Sequence, residues 1–177
     1  MKVKTTFIIL LVQFLYGNGN PYFQQMVKYE IDVTLNDSAH TLSAYERLEY
    51  TNNSPDTLEF IWFHLWPNAY KNDSTAFAKQ QEKNGSRRFA NSEKEDRGFI
   101  DNLDFLVDGI KATWETHTDW IDVAKIMLPN HLLPGMSVII ETPFIVKLPL
   151  VFSRLGHSGK HYEITQWYPK PAVYDHK

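Results

Sequence analysis

Two histidines, His157 and His161, are four residues apart, a spacing that is found between metal ligands in proteins. On a helix this spacing would place both imidazoles on one face, and in zinc hydrolases a glutamate follows the first histidine. Ser158 takes that position here, and Gly156 and Gly159 disfavour a helix. We therefore expect two loop histidines and no metal site in this chain.

Nucleophilic catalysis has little support in the sequence. Ser153 and His157 are the nearest pair of nucleophile and base, but no Gly-x-Ser-x-Gly elbow accompanies them. The chain contains no cysteine, which excludes thiol nucleophiles and thiolate ligands. Nothing in the spacing of the acidic residues singles out a catalytic pair. We expect no catalytic residue in this chain.

The sequence offers better candidates for ligand binding than for catalysis. Gln166 follows the β-like stretch 162–165 and precedes the rigid run Trp167-Tyr168-Pro169, so its amide can donate and accept at a fixed geometry. A purely structural role, in which the amide satisfies a loop carbonyl, is the alternative. Arg154 could hold an anion, although bracing the loop is the role that we favour.

Four tryptophans could form a platform on which sugar rings stack: Trp62, Trp66, Trp114 and Trp120. Half-buried positions in a β-sandwich core account for them better, because tryptophan supplies large apolar area with one polar tip. We therefore expect these four tryptophans to lie half-buried in the core.

The elements that must position these residues are mostly strands, since apolar and polar residues alternate with a period of two. The predicted strands are Tyr29–Leu35, Leu42–Thr51, Leu58–Trp66, Phe99–Val107, Ile110–Trp114, Trp120–Leu128 and Val138–Leu148. Leu58–Trp66 is apolar on both sides and is predicted to be central and covered above and below. Asp108-Gly109 indicates a two-residue hairpin turn. The fold class is all-β: a saddle-like sandwich of curved antiparallel sheets.

One long surface loop interrupts the strands at residues 68–97. It carries a predicted short helix within 74–83, capped by Ser74 or Asp73, and residues 84–97 are expected to be mobile because they are polar and charged. Two prolines are also interpreted structurally. Pro129 is expected to end its strand, and Pro143 to mark a bulge or an edge position.

The N-terminus is typical of a signal peptide. Two lysines precede an apolar run at residues 7–15, and small residues follow up to Gly19, so we expect residues 1–19 to be removed on export. The run is too short for a stable membrane span. Residues 20–177 fit one domain, and a net charge of -3 gives no reason to expect nucleic-acid binding.

A family resemblance rests on two segments. Residues 152–175 (FSRLGHSGKHYEITQWYPKPAVYD) and residues 58–70 (LEFIWFHLWPNAY) closely resemble the N-terminal domain of M1-type zinc metallopeptidases, which are aminopeptidase N-like, from Bacteroidetes-type bacteria. The intervening strands fit the same pattern, so the resemblance covers almost all of residues 20–177.

The resemblance implies a non-catalytic β-domain that precedes a thermolysin-like catalytic domain. The expected zinc, its His-Glu-x-x-His motif and the peptide substrate belong to that second domain, and neither this motif nor a Gly-x-Met-Glu-Asn motif occurs in the chain. The family's N-terminal domain lends a glutamine to the wall of the first substrate pocket, and Gln166 matches it. The Trp-Tyr after it departs from many relatives.

The sequence therefore predicts a fragment of an exported M1-like aminopeptidase, located in the periplasm, at the cell surface or outside the cell. The aromatic and proline residues of 167–174 are expected to pack on the catalytic domain, which would leave the isolated chain marginal or prone to aggregation. The alternative is a stand-alone secreted β-sandwich that binds a glycan or a protein through its aromatic residues. An enzyme that uses His157 and His161 is a third, weaker alternative.

Overall fold

The computed structural model describes residues 22–175, so the predicted signal peptide at residues 1–19 lies outside the described residues. Within this range the chain forms twelve strands, one α-helix and two 3-10 helices. None of the helices in this range is long and apolar enough to cross a membrane. The strands are β1 Met26–Asn36, β2 Thr41–Thr51, β3 Leu58–His64, β4 Phe99–Asp101, β5 Leu106–Val107, β6 Ile110–Lys111, β7 Trp114–Thr116, β8 Val123–Leu132, β9 Ser137–Lys147, β10 Leu155–Ser158, β11 His161–Ile164 and β12 Lys170–Pro171.

The fold is an all-β sandwich of antiparallel sheets, as predicted. The larger sheet has the order β1-β2-β9-β5-β6, with β4 also paired to β9. The smaller sheet has the order β12-β3-β8-β7, and β10 and β11 form a separate hairpin. The hairpin turn at Asp108-Gly109 is confirmed: it joins β5 to β6, and both residues have the positive φ angles that such a turn requires.

The core lies between the two sheets and follows the alternation of each strand. The inward rows of β2 and β9 meet those of β3 and β8, so that every second residue is buried. The largest side chains that are almost completely buried include Tyr50, Phe63, Phe105 and Phe144. Without disulfides in the described residues, this apolar burial holds the sandwich together.

The prediction for β3 was wrong at its end and on one face. The strand stops at His64, and the chain turns into a 3-10 helix over Trp66–Tyr70 with Pro67 in its first turn. Ile61 and Phe63 are buried, whereas the opposite face of the strand is only half-buried. The sandwich covers one face of this sheet, so the apolar run indicated more burial than the layers provide.

The predicted helix in the surface loop is confirmed as α1, Ala76–Lys83, but its N-cap is Thr75. The Thr75 hydroxyl accepts a hydrogen bond from the Ala78 N–H at 3.1 Å. Residues 84–97 were expected to be mobile because they are polar and charged, but they contribute a residue to the core. Phe89 is 2% exposed, and Arg97 lies over its ring at 4.9 Å while pairing with Asp73 at 2.9 Å.

The prediction for Pro129 was wrong, whereas that for Pro143 holds in part, because one side of β9 is unpaired at this proline. Pro129 does not end its strand, because β8 continues to Leu132. Pro143 lies inside β9, which pairs in regular register with β2, so it marks no bulge. On the other side of β9, β5 pairs up to Glu141 and β4 pairs from Ile145, so the proline lies in the gap between two short strands.

The C-terminal segment packs on this domain. Trp167 and Tyr168 are half-buried against the core, and Pro169 and Pro171 are buried. Tyr174 packs on the core and donates a hydrogen bond to Asp56 at 2.7 Å. Only Val173 among the six aromatic, proline and valine side chains of 167–174 is highly exposed, at 90%. Two of the six side chains are therefore buried within this domain and three are half-buried against it.

Candidate functional site

Gln166 lies just after β11 with an exposed side chain and an unusual backbone. Its φ is +53°, in the left-handed region that residues other than glycine rarely adopt. Its two neighbours are anchored: the Thr165 hydroxyl donates to the Arg154 carbonyl at 2.7 Å, and Trp167 packs on Phe144 with ring centroids 5.8 Å apart. The fixed neighbours hold Gln166 in this conformation, and such outliers are enriched at functional sites.

Gln166 borders a pocket of about 240 Å3. Three segments form its walls: the 3-10 helix Trp66–Tyr70, α1, and the two ends of the β10–β11 hairpin. The lining residues are Trp66, Ala69, Tyr70, Phe77, Gln80, Gln81, Ser153, Arg154, Leu155, Thr165 and Gln166. Arg154 is the only charged residue in this set, and three of the others carry amide side chains.

The wall formed by the 3-10 helix and α1 is fixed by buried polar residues. Asn68 donates to the Ile121 carbonyl at 3.1 Å and accepts from the Ile100 N–H at 3.1 Å, which ties the 3-10 helix to the turn before β8 and to β4. The Thr75 hydroxyl donates to the Ala69 carbonyl at 2.8 Å, so the cap of α1 also fastens the helix to the preceding turn. The wall is therefore built before any ligand binds.

Aromatic rings join α1 to the hairpin wall. Tyr70 contacts Phe77 with centroids 4.8 Å apart, Phe77 contacts Phe89 at 5.3 Å, and Phe89 contacts Phe152 at 5.0 Å. Edge and tilted contacts of this kind stabilise beyond the area that they bury. These ring contacts connect α1 to Phe152, which directly precedes residues 153–155 of the pocket wall.

The polar floor of the pocket is organised around Tyr70. Burial raises the pKa of its phenol, while a hydrogen bond with Ser153 and the charge of Arg154 oppose that shift. Tyr70 and Arg154 both line the pocket. Ser153, which the sequence offered as a nucleophile beside His157, lines this pocket with Tyr70, whereas His157 does not.

Gly156 sets the course of the chain through Arg154 and Leu155. Its φ is +149°, and an added Cβ would lie 2.7 Å from the carbonyl oxygen of Pro149. The space is filled because the chain folds back on itself: the His157 N–H donates to the same Pro149 oxygen at 2.9 Å. A side chain at this position would displace the wall that carries Arg154.

His157 and His161 are not brought together, and they form no pair of ligands. In the hairpin His157 faces Tyr162, so His161 points to the opposite side. His157 is buried, whereas His161 is exposed. Within residues 22–175 no group of three or more histidine, cysteine, aspartate or glutamate side chains could hold a metal ion.

The tryptophans do not form one platform. Trp114 packs in the core on Phe105, with centroids 5.6 Å apart. Trp66 stacks on His64 and borders the Gln166 pocket. Trp62 and Trp120 both contact His117, at 5.7 and 4.3 Å, and Trp120 is 52% exposed. Three of the four are half-buried, as predicted, but only Trp114 packs on the core, and Trp120 is exposed.

Comparison with known proteins assigns no family to the chain. No protein-family model matches it, and no curated protein matches it. The resemblance of residues 152–175 to M1-type peptidases remains a prediction from the sequence.

A larger groove, of about 450 Å3, lies at the edge of the smaller sheet. Residues 57–62 and 172–175 form most of its walls, and Phe60, Trp62 and the exposed Val173 are among them. Gln166 and Arg154 contribute nothing to this groove. The smaller pocket is the better candidate site because its polar residues converge on a built floor.

Sequence reasoning missed Glu46. Its side chain lies on the buried face of β2, directly opposite Thr142 of β9, and is 1% exposed. Neither carboxylate oxygen has a hydrogen-bond partner, and burial raises the pKa of the group to about 8. Burial, then Tyr168 at 5.3 Å between ring centroids, and then Glu46 raise the pKa of Tyr29. The signal was present as a charged residue in the apolar row of an alternating strand.

Proposed function

We propose that this chain is the non-catalytic N-terminal β-domain of an exported, M1-like zinc aminopeptidase. Its role is to cover the catalytic cleft and to lend Gln166 to the wall of the first substrate pocket. The peptide substrate would bind between this domain and a catalytic domain.

The observation that carries the proposal is the setting of Gln166. Its amide is exposed at the rim of a pocket, and its left-handed backbone is held between two anchored neighbours, Thr165 and Trp167. A preorganised amide loses little freedom on binding and can accept and donate to a peptide. A glutamine that only satisfied a loop carbonyl would not need to project from this backbone.

The zinc that the resemblance implies does not fit the residues of this chain. No group of three potential ligands exists within residues 22–175, and the His157 and His161 side chains point to opposite sides of their hairpin. The metal would be held by the catalytic domain. No catalytic step is assigned to this domain, and its contribution is to binding and orientation.

The test uses a protein in which this chain is joined to an M1 catalytic domain. Gln166→Ala should lower kcat/KM for an aminoacyl anilide by about tenfold, the loss expected for one or two hydrogen bonds to substrate, while the zinc content stays the same. Gln24→Ala is the matched control, because Gln24 is also an exposed glutamine but does not line the pocket. Equal kinetics for the two variants would contradict the proposal.

A second candidate is a secreted binding module, favoured by the exposed ring of Trp120 stacked on His117 with centroids 4.3 Å apart. Aromatic faces of this kind can stack on sugar rings. Retention of the chain on immobilised glycans should then fall in Trp120→Ala and persist in Leu133→Ala, since Leu133 is equally exposed, at 55%. Retention that is absent from the wild-type chain would exclude this candidate.

A further inference from the structure

Three arginines, Arg87, Arg88 and Arg154, form no ion pair within residues 22–175, and of these three Arg154 alone lines the pocket. Arg47 lies 3.9 Å from both Glu30 and Glu141, and Arg97 pairs with Asp73 at 2.9 Å. No ion pair is formed by Arg154 within residues 22–175, and no carboxylate lines the pocket that it enters. Arg154 is thus an exposed arginine at the pocket without an acidic partner among the described residues.

The neutral polar groups around Arg154 can all donate hydrogen bonds as well as accept them. Gln80 and Gln81 approach from α1 and Gln166 from the hairpin, and each amide can turn its NH2 toward the pocket. The Ser153 hydroxyl lies on the floor beside Tyr70. A planar guanidinium with amide donors around it matches the two oxygens of a carboxylate.

The remaining wall is apolar and aromatic. Trp66, Phe77 and Ala69 face the same space, so the methylene groups of a ligand would find contact beside the charged end of the pocket. The volume of about 240 Å3 lies below the range of roughly 300–1,000 Å3 that drug-sized ligands occupy. A pocket of this size suits one amino-acid side chain of a ligand.

We infer that this pocket binds the side-chain carboxylate of an acidic residue at the N-terminus of a peptide, with Arg154 as its charge partner. The carboxylate is assigned from the pocket alone, whereas the choice of a peptide as its source rests on the proposed function. In a complete peptidase, Arg154 would favour aspartate or glutamate in the first substrate position.

The experiment titrates the full chain with two amidated peptides, Asp-Ala-Ala and Asn-Ala-Ala, by NMR or calorimetry. These peptides differ in one side-chain charge. The Asp peptide should bind at least about tenfold more tightly, as expected for a charge-assisted pair of hydrogen bonds. This preference should vanish in Arg154→Gln and survive in part in Arg154→Lys.

Arg87→Gln is the matched control, since Arg87 is exposed and does not line the pocket; it should retain the full preference. Equal affinity for the two peptides, or an unchanged preference in Arg154→Gln, overturns the inference. Inorganic phosphate is the third probe. Binding of phosphate at Arg154 without binding of the Asp peptide would also overturn it, because the site would then take free oxyanions.

The proposed function can fail separately. If Gln166→Ala leaves the kinetics of the joined peptidase unchanged while the chain still prefers the Asp peptide through Arg154, the substrate-wall role falls and the carboxylate site stands. If Gln166→Ala lowers kcat/KM while the chain shows no preference between the two peptides, the wall role stands and the carboxylate site falls.

Discussion

The imidazole of His157 stacks on that of His40, with ring centroids 3.5 Å apart and planes inclined by 11°. Tyr162 completes the cluster through a 2.9 Å hydrogen bond between its hydroxyl and His40 Nδ1. The stack joins the β1–β2 turn to the β10–β11 hairpin, which carries the wall of the Gln166 pocket. It connects residues that are more than one hundred positions apart in sequence.

The stack predicts a stability that depends on pH. Burial, and then the charge of His40, lower the pKa of His157 from its ordinary value of 6.5. The unfolded chain therefore binds more protons, so this contribution is complete above about pH 6.5 and is lost as pH falls through the folded pKa. We expect His40→Asn, which tolerates the φ of +52°, to make the free energy of unfolding less dependent on pH below 6.5.

Urea unfolding at several pH values measures this effect. Each variant is compared with wild type at the same pH, so that contributions common to both cancel. His161→Asn serves as the control, because His161 is exposed and lies outside the stack. Parallel pH profiles for His40→Asn and wild type would show that stacking on His40 does not affect the protonation of His157.

Glu46 predicts a pH dependence of the opposite sign. Its folded pKa of about 8 exceeds the ordinary 4.5, so the folded chain binds the extra proton and loses stability as pH rises from 4.5 to 8. Glu46→Gln removes the charge, and we expect it to raise the free energy of unfolding at about pH 9 by on the order of 4 kcal/mol relative to wild type. Near pH 5 the variant should bring no gain, since its amide is buried without a partner.

Glu82→Gln is the control for this measurement, because Glu82 is exposed on α1 and should change stability little at any pH. A stability difference between Glu46→Gln and wild type that is constant from pH 5 to 9 would mean that the pKa of Glu46 is not raised in the folded chain. Thermal unfolding followed by circular dichroism gives the same comparison independently.

Gly156 predicts a large loss of stability from a single methyl group. Gly156→Ala would place Cβ 2.7 Å from the Pro149 oxygen and 2.9 Å from backbone atoms of Leu150, and we expect a cost of about 2–4 kcal/mol. Gly85→Ala is the matched control: its φ is +78°, but its Cβ would meet nothing within 4 Å, so about 1 kcal/mol is expected. Similar losses for the two variants would argue against a tight approach at Gly156.

Catalytic silence is predicted for the chain by itself. The hairpin directs His157 and His161 to opposite sides, so the purified chain should leave aminoacyl anilides intact and bind less than one equivalent of zinc. Elemental analysis and an anilide assay provide the measurements. Stoichiometric zinc that disappears in His157→Ala would revive an enzymatic role for this chain.

Local patterns in the sequence were sufficient to determine the main elements. The period-two alternation located the long strands β1, β2 and β9, and Asp108-Gly109 located a hairpin turn, because both signals depend on residues that are adjacent in the chain. The helix within 74–83 followed from composition in the same way. Apolar character alone could not tell whether β3 is covered on one face or two, since that depends on the number of layers.

The tertiary structure alone decided the environment of each polar side chain. The sequence pointed to Gln166 and Arg154, but their pocket exists only because α1, some eighty residues earlier in the chain, packs beside them through Phe77. Glu46 became a lone buried carboxyl because β1 and β9 flank it and supply no partner. Side-chain periodicity assigns a residue to a face of its strand, and only long-range packing decides what that face meets.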